Sequence, residues 1–372
     1  MSNLPFQMMV QFSGSGISSR LTTPNTFCLT QQEYAHDIAQ LEYWGGDVSS
    51  DALSSGMPIY IMWGKPPLMR EFYGYVNHAE RINNQLRQDN MGRNATCVTA
   101  VGASWPMKET ATTPYLNMTS TQIIEQIAQQ FNLKANVVPH PIVWPTKQQA
   151  GLSYWQFCVE LAKEIGYTFF CNGVQLTAVP RQTDPQQVTN LAAVYDYHSS
   201  PMSLPIFNPV LGANNPTGGQ LRNRQQASID PRTGQIIYLA IAGSNTGTLL
   251  GEAQDTPPFL LTETATVDDL THLIAKLQGS AQLNQLYITA TAHGAGDARI
   301  SQGHVISVQN ANGSQNGLWF LTKVEHFMHS RNYTMNLECG RDSLGSAPVS
   351  VAPLTQLPPT GVLWNQQNWV AA

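Results

Sequence analysis

Side chains able to do chemistry are densest in GLWFLTKVEHFMHSRNYTMNLECGRD, from Gly317 to Asp342, which holds two histidines, two glutamates and a cysteine. On a helix, His326 and His329 would share a face and could hold a metal. On a strand, side chains alternate and an odd separation sends the two rings to opposite faces. The following residues decide between these. Tyr333, Met335, Leu337 and Cys339 alternate with Thr334, Asn336 and Glu338, so the stretch predicts two strands turning near Ser330-Arg331-Asn332. Cys339 then faces a core and Glu338 faces away from it, and the group cannot converge on a small ligand.

Other patterns with chemical meaning are equally bland. FSGSGIS at 12–18 has glycines but no following helix, and neither G-x-x-x-x-G-K-[ST] nor H-E-x-x-H occurs. LPPTG at 357–361 has the letters of a sortase signal, yet VLWNQQNWVAA after it is neither long and apolar nor basic. Asp268 and Asp269 open a helix, and Glu160 and Glu164 are spaced i,i+4, positions where dipole compensation or a solvated face explains a carboxylate. The five cysteines are widely spaced with no C-x-x-C pair, which indicates reduced thiols rather than disulfides or zinc. No catalytic, metal or cofactor residue is predicted, and no cofactor.

The elements around these residues are mostly strands. MPIYIMWG (57–64) and REFYGYVNHAERI (70–82) flank GKPP and read as a hairpin. Two helices interrupt the β pattern. Thr119 caps the first, with Ile123, Ile124, Ile127, Ala128 and Phe131 on one stripe. Ser153 caps the second, which carries Phe157, Leu161 and Ile165 and stops at Gly166; a hairpin turning at Asn172-Gly173 follows. A third helix is expected over 266–282. Pro/Gly-rich runs at 103–115, 199–220 and 346–364 read as linkers. The tail carries Trp364 and Trp369, rings expected to dock on a partner.

The two β-rich halves resemble each other. Gly56 to His78 parallels Gly303 to His326, with Val76-Asn77-His78 set against Val324-Glu325-His326. NATCVTAVG (94–102) parallels NYTMNLECG (332–340). A duplicated β unit around an α+β module is the expectation.

Composition bounds the partners. In 372 residues, charged groups make up 12%, about half the roughly 25% of ordinary soluble domains. A polar, weakly charged surface suits faces covered by other subunits. A net charge of −5 and no Lys/Arg run exclude a protein that grips a nucleic-acid backbone. No apolar stretch of 18 residues is present and the N-terminus has no signal-peptide pattern, so synthesis in the cytoplasm without stable membrane insertion is expected.

YLNMTSTQIIEQIAQQFNL, LSYWQFCVELAKEIGYTFFCNGVQLTAVP, AHGAGDARISQGHVISV and GLWFLTKVEHFMHSRNYTMNLECGRD, in that order, resemble bacteriophage tail baseplate hub proteins of the late-control protein D type. That family is related to the hub part of the valine-glycine-repeat spike proteins of type VI secretion, and the resemblance spans roughly 50–345. It implies a mainly β fold: two tail-tube-like β-barrels separated by a small α+β module similar to LysM. The implied partition is 1–105 first barrel, 106–182 insertion, 183–345 second barrel and 346–372 Pro-rich extension. It also implies a homotrimeric structural hub in the virion baseplate, joining a hexameric tail tube to a central spike among other baseplate proteins, with DNA only in transit. The chain lacks a β-helical spike and a hydrolase domain, so piercing or wall-cutting is expected of other proteins. The competing readings are a tail-associated peptidoglycan hydrolase and a carbohydrate-binding tail-tip protein.

Overall fold

A computed structural model describes residues 6–13, 22–44, 48–65, 68–82, 94–181, 191–196, 206–211, 223–229, 236–242, 260–264, 272, 275–276, 279, 282–283, 286, 288–311, 315–329, 332–341, 362–364 and 369–371. The first β-rich part supplies β1 (Gln7–Phe12), β2 (Thr26–Gln32), β3 (Ile38–Tyr43), β4 (Pro58–Lys65), β5 (Leu68–Ile82) and β6 (Ala95–Gly102). The predicted hairpin is β4–β5, with Lys65 opposite Leu68.

The insertion follows as β7 (Pro114–Thr119), α1 (Ser120–Gln130), β8 (Lys134–Val137), β9 (Val143–Gln148), α2 (Tyr154–Glu164), β10 (Tyr167–Asn172) and β11 (Gln175–Pro180). Both helices begin with a reciprocal cap. The Gln122 N–H donates to Thr119 Oγ1 at 3.1 Å while the Thr119 N–H donates to Gln122 Oε1 at 2.9 Å. Ser153 and Gln156 repeat this at 3.1 and 3.2 Å. The predicted stripes are buried, Ile123, Ile124 and Ile127 from α1 against Phe157, Leu161 and Ile165 from α2. Gly166, at φ +74°, releases the chain from α2, and Gly173, at φ +58°, makes the β10–β11 turn. The order β10-β11-β8, with β8 parallel to β11, completes a small α+β module, and β7 pairs with β9 beside it.

The later part supplies β12 (Leu191–Asp196), β13 (Ile206–Leu211), β14 (Asn223–Ile229), β15 (Ile236–Ala242), β16 (Leu260–Thr264), β17 (Ile288–Ala295), β18 (Val305–Gln309), β19 (Gly317–His329) and β20 (Asn332–Arg341). The expected third helix is present at 272, 275, 276, 279, 282 and 283; Asp268 and Asp269 lie outside the described residues. The run 199–220, expected to be a linker, contains β13, which pairs with β17 along its whole length, Pro209 included. Pro/Gly punctuation misled there because a strand with one open edge tolerates proline. The tail forms a short hairpin, β21 (Val362–Trp364) with β22 (Trp369–Ala371).

The mainly β expectation and the α+β module hold. The strands of the two β-rich parts join in one curled, open sheet of twelve strands, ordered β1-β4-β5-β6-β3-β2-β19-β20-β17-β13, with β18 and β12 attached beside β19. β14, β15 and β16 form a separate small sheet. Each half of the large sheet has its own core. Val10, Phe27, Ile59, Trp63 and Val98 anchor the first, and Ile288, Ile306, Trp319, Val324 and Leu337 the second.

The duplication is visible in the ladders. β3-β6-β5-β4 and β17-β20-β19-β18 are the same antiparallel four-strand unit. Ile59 opposite Gly74 matches Ile306 opposite Trp319, and Val76 opposite Ala100 matches Leu321 opposite Cys339. Leu41 opposite Val98 matches Ala292 opposite Leu337. Each unit has a bulge at one place, between Val76 and His78 and between Leu321 and Lys323. Each is entered by a left-handed glycine whose N–H bonds across to the strand before that bulge, Gly56 to Val76 O at 2.7 Å and Gly303 to Leu321 O at 2.8 Å. The Gly56–Gly303 equivalence read from sequence is therefore correct. The match of Val76-Asn77-His78 to Val324-Glu325-His326 is not, because the bulge equates Val76 with Leu321 and His78 with Lys323. Likewise Gly340 matches Val101, not Gly102. An odd slip turns every core residue outward, so the buried face sets the register and the shared letters do not.

Candidate functional site

His326 and His329 lie on opposite faces of β19, as alternation requires. His329 is exposed, its ring 6.1 Å from that of Trp44. His326 is wholly buried between two partners: Nε2 donates to Ile300 O at 3.1 Å, and Nδ1 accepts from Tyr333 Oη at 2.8 Å. Tyr333 in turn accepts from Trp63 Nε1 at 3.3 Å. Every polar atom in this chain is used, which fixes a neutral imidazole, and burial holds its pKa down at about 3. Cys339 is buried, with its thiol pushed far up by burial, while Glu338 is exposed and pairs with Lys323 at 3.3 Å. Among the described residues no group of three or more His, Cys, Asp or Glu could hold a metal ion.

Sequence reasoning missed the polar cluster where the three modules meet. Arg70 on β5 is buried, and its guanidinium donates to the carbonyls of Ala298 at 3.2 Å and Ile300 at 2.6 Å and to Asn172 Oδ1 at 3.0 Å. Asn172 belongs to the insertion's hairpin turn, and residues 298–300 belong to the second β-rich part. Asp37, before β3, accepts from Gln31 Nε2 at 2.7 Å and from Gln302 Nε2 at 3.1 Å. Burial pushes its carboxyl up to about 7 despite these bonds. A second clamp joins Glu33 to Arg181 at 2.8 Å, with both side chains under a tenth exposed, and Arg181 also donates to Leu283 O at 2.8 Å. Tyr34 adds its N–H to Phe169 O at 2.7 Å and its hydroxyl to Tyr167 O at 2.9 Å. Largely buried, these groups tie the three parts of the chain to one another. The partners are far apart in sequence, so no local motif announces them.

The accessible candidates are sheet edges. β19 carries two neighbours on one side in succession: Gly317 to Phe320 pair with β18, and Lys323 to His329 pair with β2. That β2–β19 joint fuses the halves. In the first unit Leu68 to Tyr75 pair with β4 in the same way, but Asn77–Ile82 beyond it has β6 on one side and, among the described residues, no strand on the other. β13, placed beside β17 as β2 is placed beside β3, is likewise open on its far side. Among the described residues both are unpaired ends of the strand order, the kind of edge that strand addition uses. In the terminal hairpin Trp364 and Trp369 stand opposite one another in register. Residues 346–361 and 365–368 and the two indole rings lie outside the described structure.

This fold is shared with phage tail proteins and with a type VI secretion component. The chain is similar to the 43 kDa tail protein of prophage MuSo2 from Shewanella oneidensis at TM-score 0.65 and 11% identity, over 91% of this chain and 99% of that one. A tail protein from Neisseria meningitidis MC58 matches at TM-score 0.64 and 10% identity, over 92% and 98%. The E. coli c3393 protein, a type VI secretion component similar in structure to phage T4 tail proteins gp27 and gp5, matches at TM-score 0.56 and 11% identity, over 95% and 82%. No protein-family model and no curated protein matches the sequence. The resemblance read from the sequence is borne out as a shared fold.

Proposed function

We propose that this chain is a structural component of a phage-type tail: a homotrimeric baseplate hub that joins a six-fold tail tube to a central spike. One observation carries the reading. The same four-strand unit occurs twice per chain, so three copies present six equivalent units to a hexameric tube while keeping three-fold symmetry toward a spike. The two half-closed units become tube-like barrels on assembly, with 1–105 and 183–345 building the ring and 106–182 packed on its flank. The ring encloses a channel through which DNA passes, and a net charge of −5 favours passage over retention. Tail tube, spike and other baseplate proteins are its partners, and the hairpin bearing Trp364 and Trp369 docks on the spike. The assembled protein resides in the virion after synthesis in the host cytoplasm. Light scattering on the purified chain, with electron micrographs of the same sample, tests this: the expected species is three chains in a ring with a central opening. A chain that remains monomeric at the highest attainable concentration overturns it.

A further inference from the structure

Among the described residues the two units meet at one strand joint, and we infer from it the joint between chains: the open half of β5 in one copy pairs antiparallel with β13 of the next. This deepens the hub reading and rests on it. The argument needs only the internal repeat. In the second unit, the half of the long strand beyond the bulge, Lys323–His329, is covered by β2 of the first unit. The equivalent half in the first unit is His78–Ile82, and the strand equivalent to β2 in the second unit is β13. Phe27 opposite Leu41 on β3 matches Phe207 opposite Ala292 on β17. The chain therefore ends in the two complementary halves of a joint whose other instance it already makes. Because they lie far apart in the sheet order, separated by β6, β3, β2, β19, β20 and β17, they are satisfied head-to-tail by further copies. Such heterologous contacts propagate, and in the trimeric hub they close into a ring of three.

The register follows from the internal joint. Glu325 stands opposite Thr30, His326 opposite Leu29 and Phe327 opposite Cys28. Carried through the repeat, these become Glu80 opposite Val210, Arg81 opposite Pro209 and Ile82 opposite Asn208 of the next copy. Glu80 and Arg81 are exposed in the single chain, as is His78, which lies 3.6 Å from Glu80. Pro209 has no N–H to donate on either side of β13.

Two single variants test the joint, Arg81→Cys and Pro209→Cys. Residues directly opposite in a ladder bring Cα atoms within the 4.4–6.8 Å that a disulfide spans, whereas diagonal positions stand about 7–8 Å apart. Arg81 is opposite Thr96, so the new thiol is on the other sheet face from native Cys97, which is opposite Glu80. Under mild oxidation, a mixture of the two variants gives a covalent dimer at least about tenfold more abundant than either variant alone, and than R81C mixed with Leu211→Cys. Amide exchange on the wild-type chain provides a reading without substitutions. Amides of 78–82 are slowed to within about tenfold of those of 324–329, which sit in the internal joint. A trimer whose 78–82 amides exchange freely and whose mixed variants do not link overturns the joint and leaves the hub reading standing. Linking of R81C with itself overturns it in favour of a two-fold contact. A chain that never assembles overturns both.

Discussion

Replacing Asp37 with Asn removes an ionisation that burial makes costly. In the folded chain its carboxyl is fully buried and held at about 7, against 3.8 in the unfolded chain. The folded state thus binds a proton that the unfolded state has released across this window, and stability falls as pH rises by roughly 1.4 kcal/mol per pH unit. Between pH 4 and 7 the loss from this group is about 4 kcal/mol, after which the curve is level. Three histidines oppose it. Burial holds His36 and His304 at about 4 and His326 at about 3, so each contributes stability that is lost as pH falls from the ordinary histidine value toward its own. The wild type alone therefore shows a dome, and the difference between wild type and D37N isolates the carboxylate. Urea unfolding followed by tryptophan fluorescence at fixed protein concentration, at steps from pH 4 to 8, measures it. The D37N chain is expected to gain about 4 kcal/mol relative to wild type across that range. An Asn amide can be accommodated because Gln31 Oε1 and Gln302 Oε1 are buried without a hydrogen-bond partner, and turning either amide supplies an acceptor. A difference that stays constant within about 1 kcal/mol, or that changes in the opposite sense, refutes the account.

Five further substitutions probe the modules and how they are held. Arg181→Met strands Glu33 in a buried site and should cost about 3–5 kcal/mol in urea unfolding, whereas Lys323→Met, at a partly exposed pair, should change stability by at most about 1 kcal/mol. Gly279→Ala drives a methyl group into Glu164 O, a backbone atom that cannot swing aside; a loss of about 1–3 kcal/mol and a lowered thermal midpoint are expected. Thr119→Ala and Ser153→Ala should each cost about 1 kcal/mol by loss of a capping pair, measured by thermal melts followed by circular dichroism at 222 nm, with a small or absent effect on the strands of the large sheet.

What was legible in the sequence was local. Thr119 with Gln122, Ser153, Gly166 and Asn172-Gly173 each determine their own few residues of backbone, so the insertion's two helices and its β10–β11 hairpin could be drawn, whereas β7, β8 and β9 were not. Alternation placed Cys339 inward and Glu338 outward for the same reason. The duplication was legible as a likeness but not as a register, since one bulge residue shifts the ladder relative to the letters. The β2–β19 joint was not legible at all: Thr26–Gln32 and Lys323–His329 find each other across nearly the whole chain, and no local pattern specifies a partner strand. The polar junction fails the same way, with Arg70 reaching Ile300 and Asp37 reaching Gln302.

The two units have diverged where their surroundings differ. Behind the second unit's bulge, Val324 and His326 are buried, and the strand is sealed by β2 of the same chain. Behind the first unit's bulge the counterparts of those two, Ala79 and Arg81, are half-buried and exposed. Charges on an open edge are the usual protection against indiscriminate strand addition. A joint made within the chain forms during folding and needs no such protection. A joint made between copies leaves its edge in water until a partner arrives, and only a partner offering the matching register repays the desolvation of those side chains. The difference between HAERI and KVEHF, at equivalent places in the ladder, fits a chain in which one of two equivalent joints is internal and the other is the proposed joint between copies.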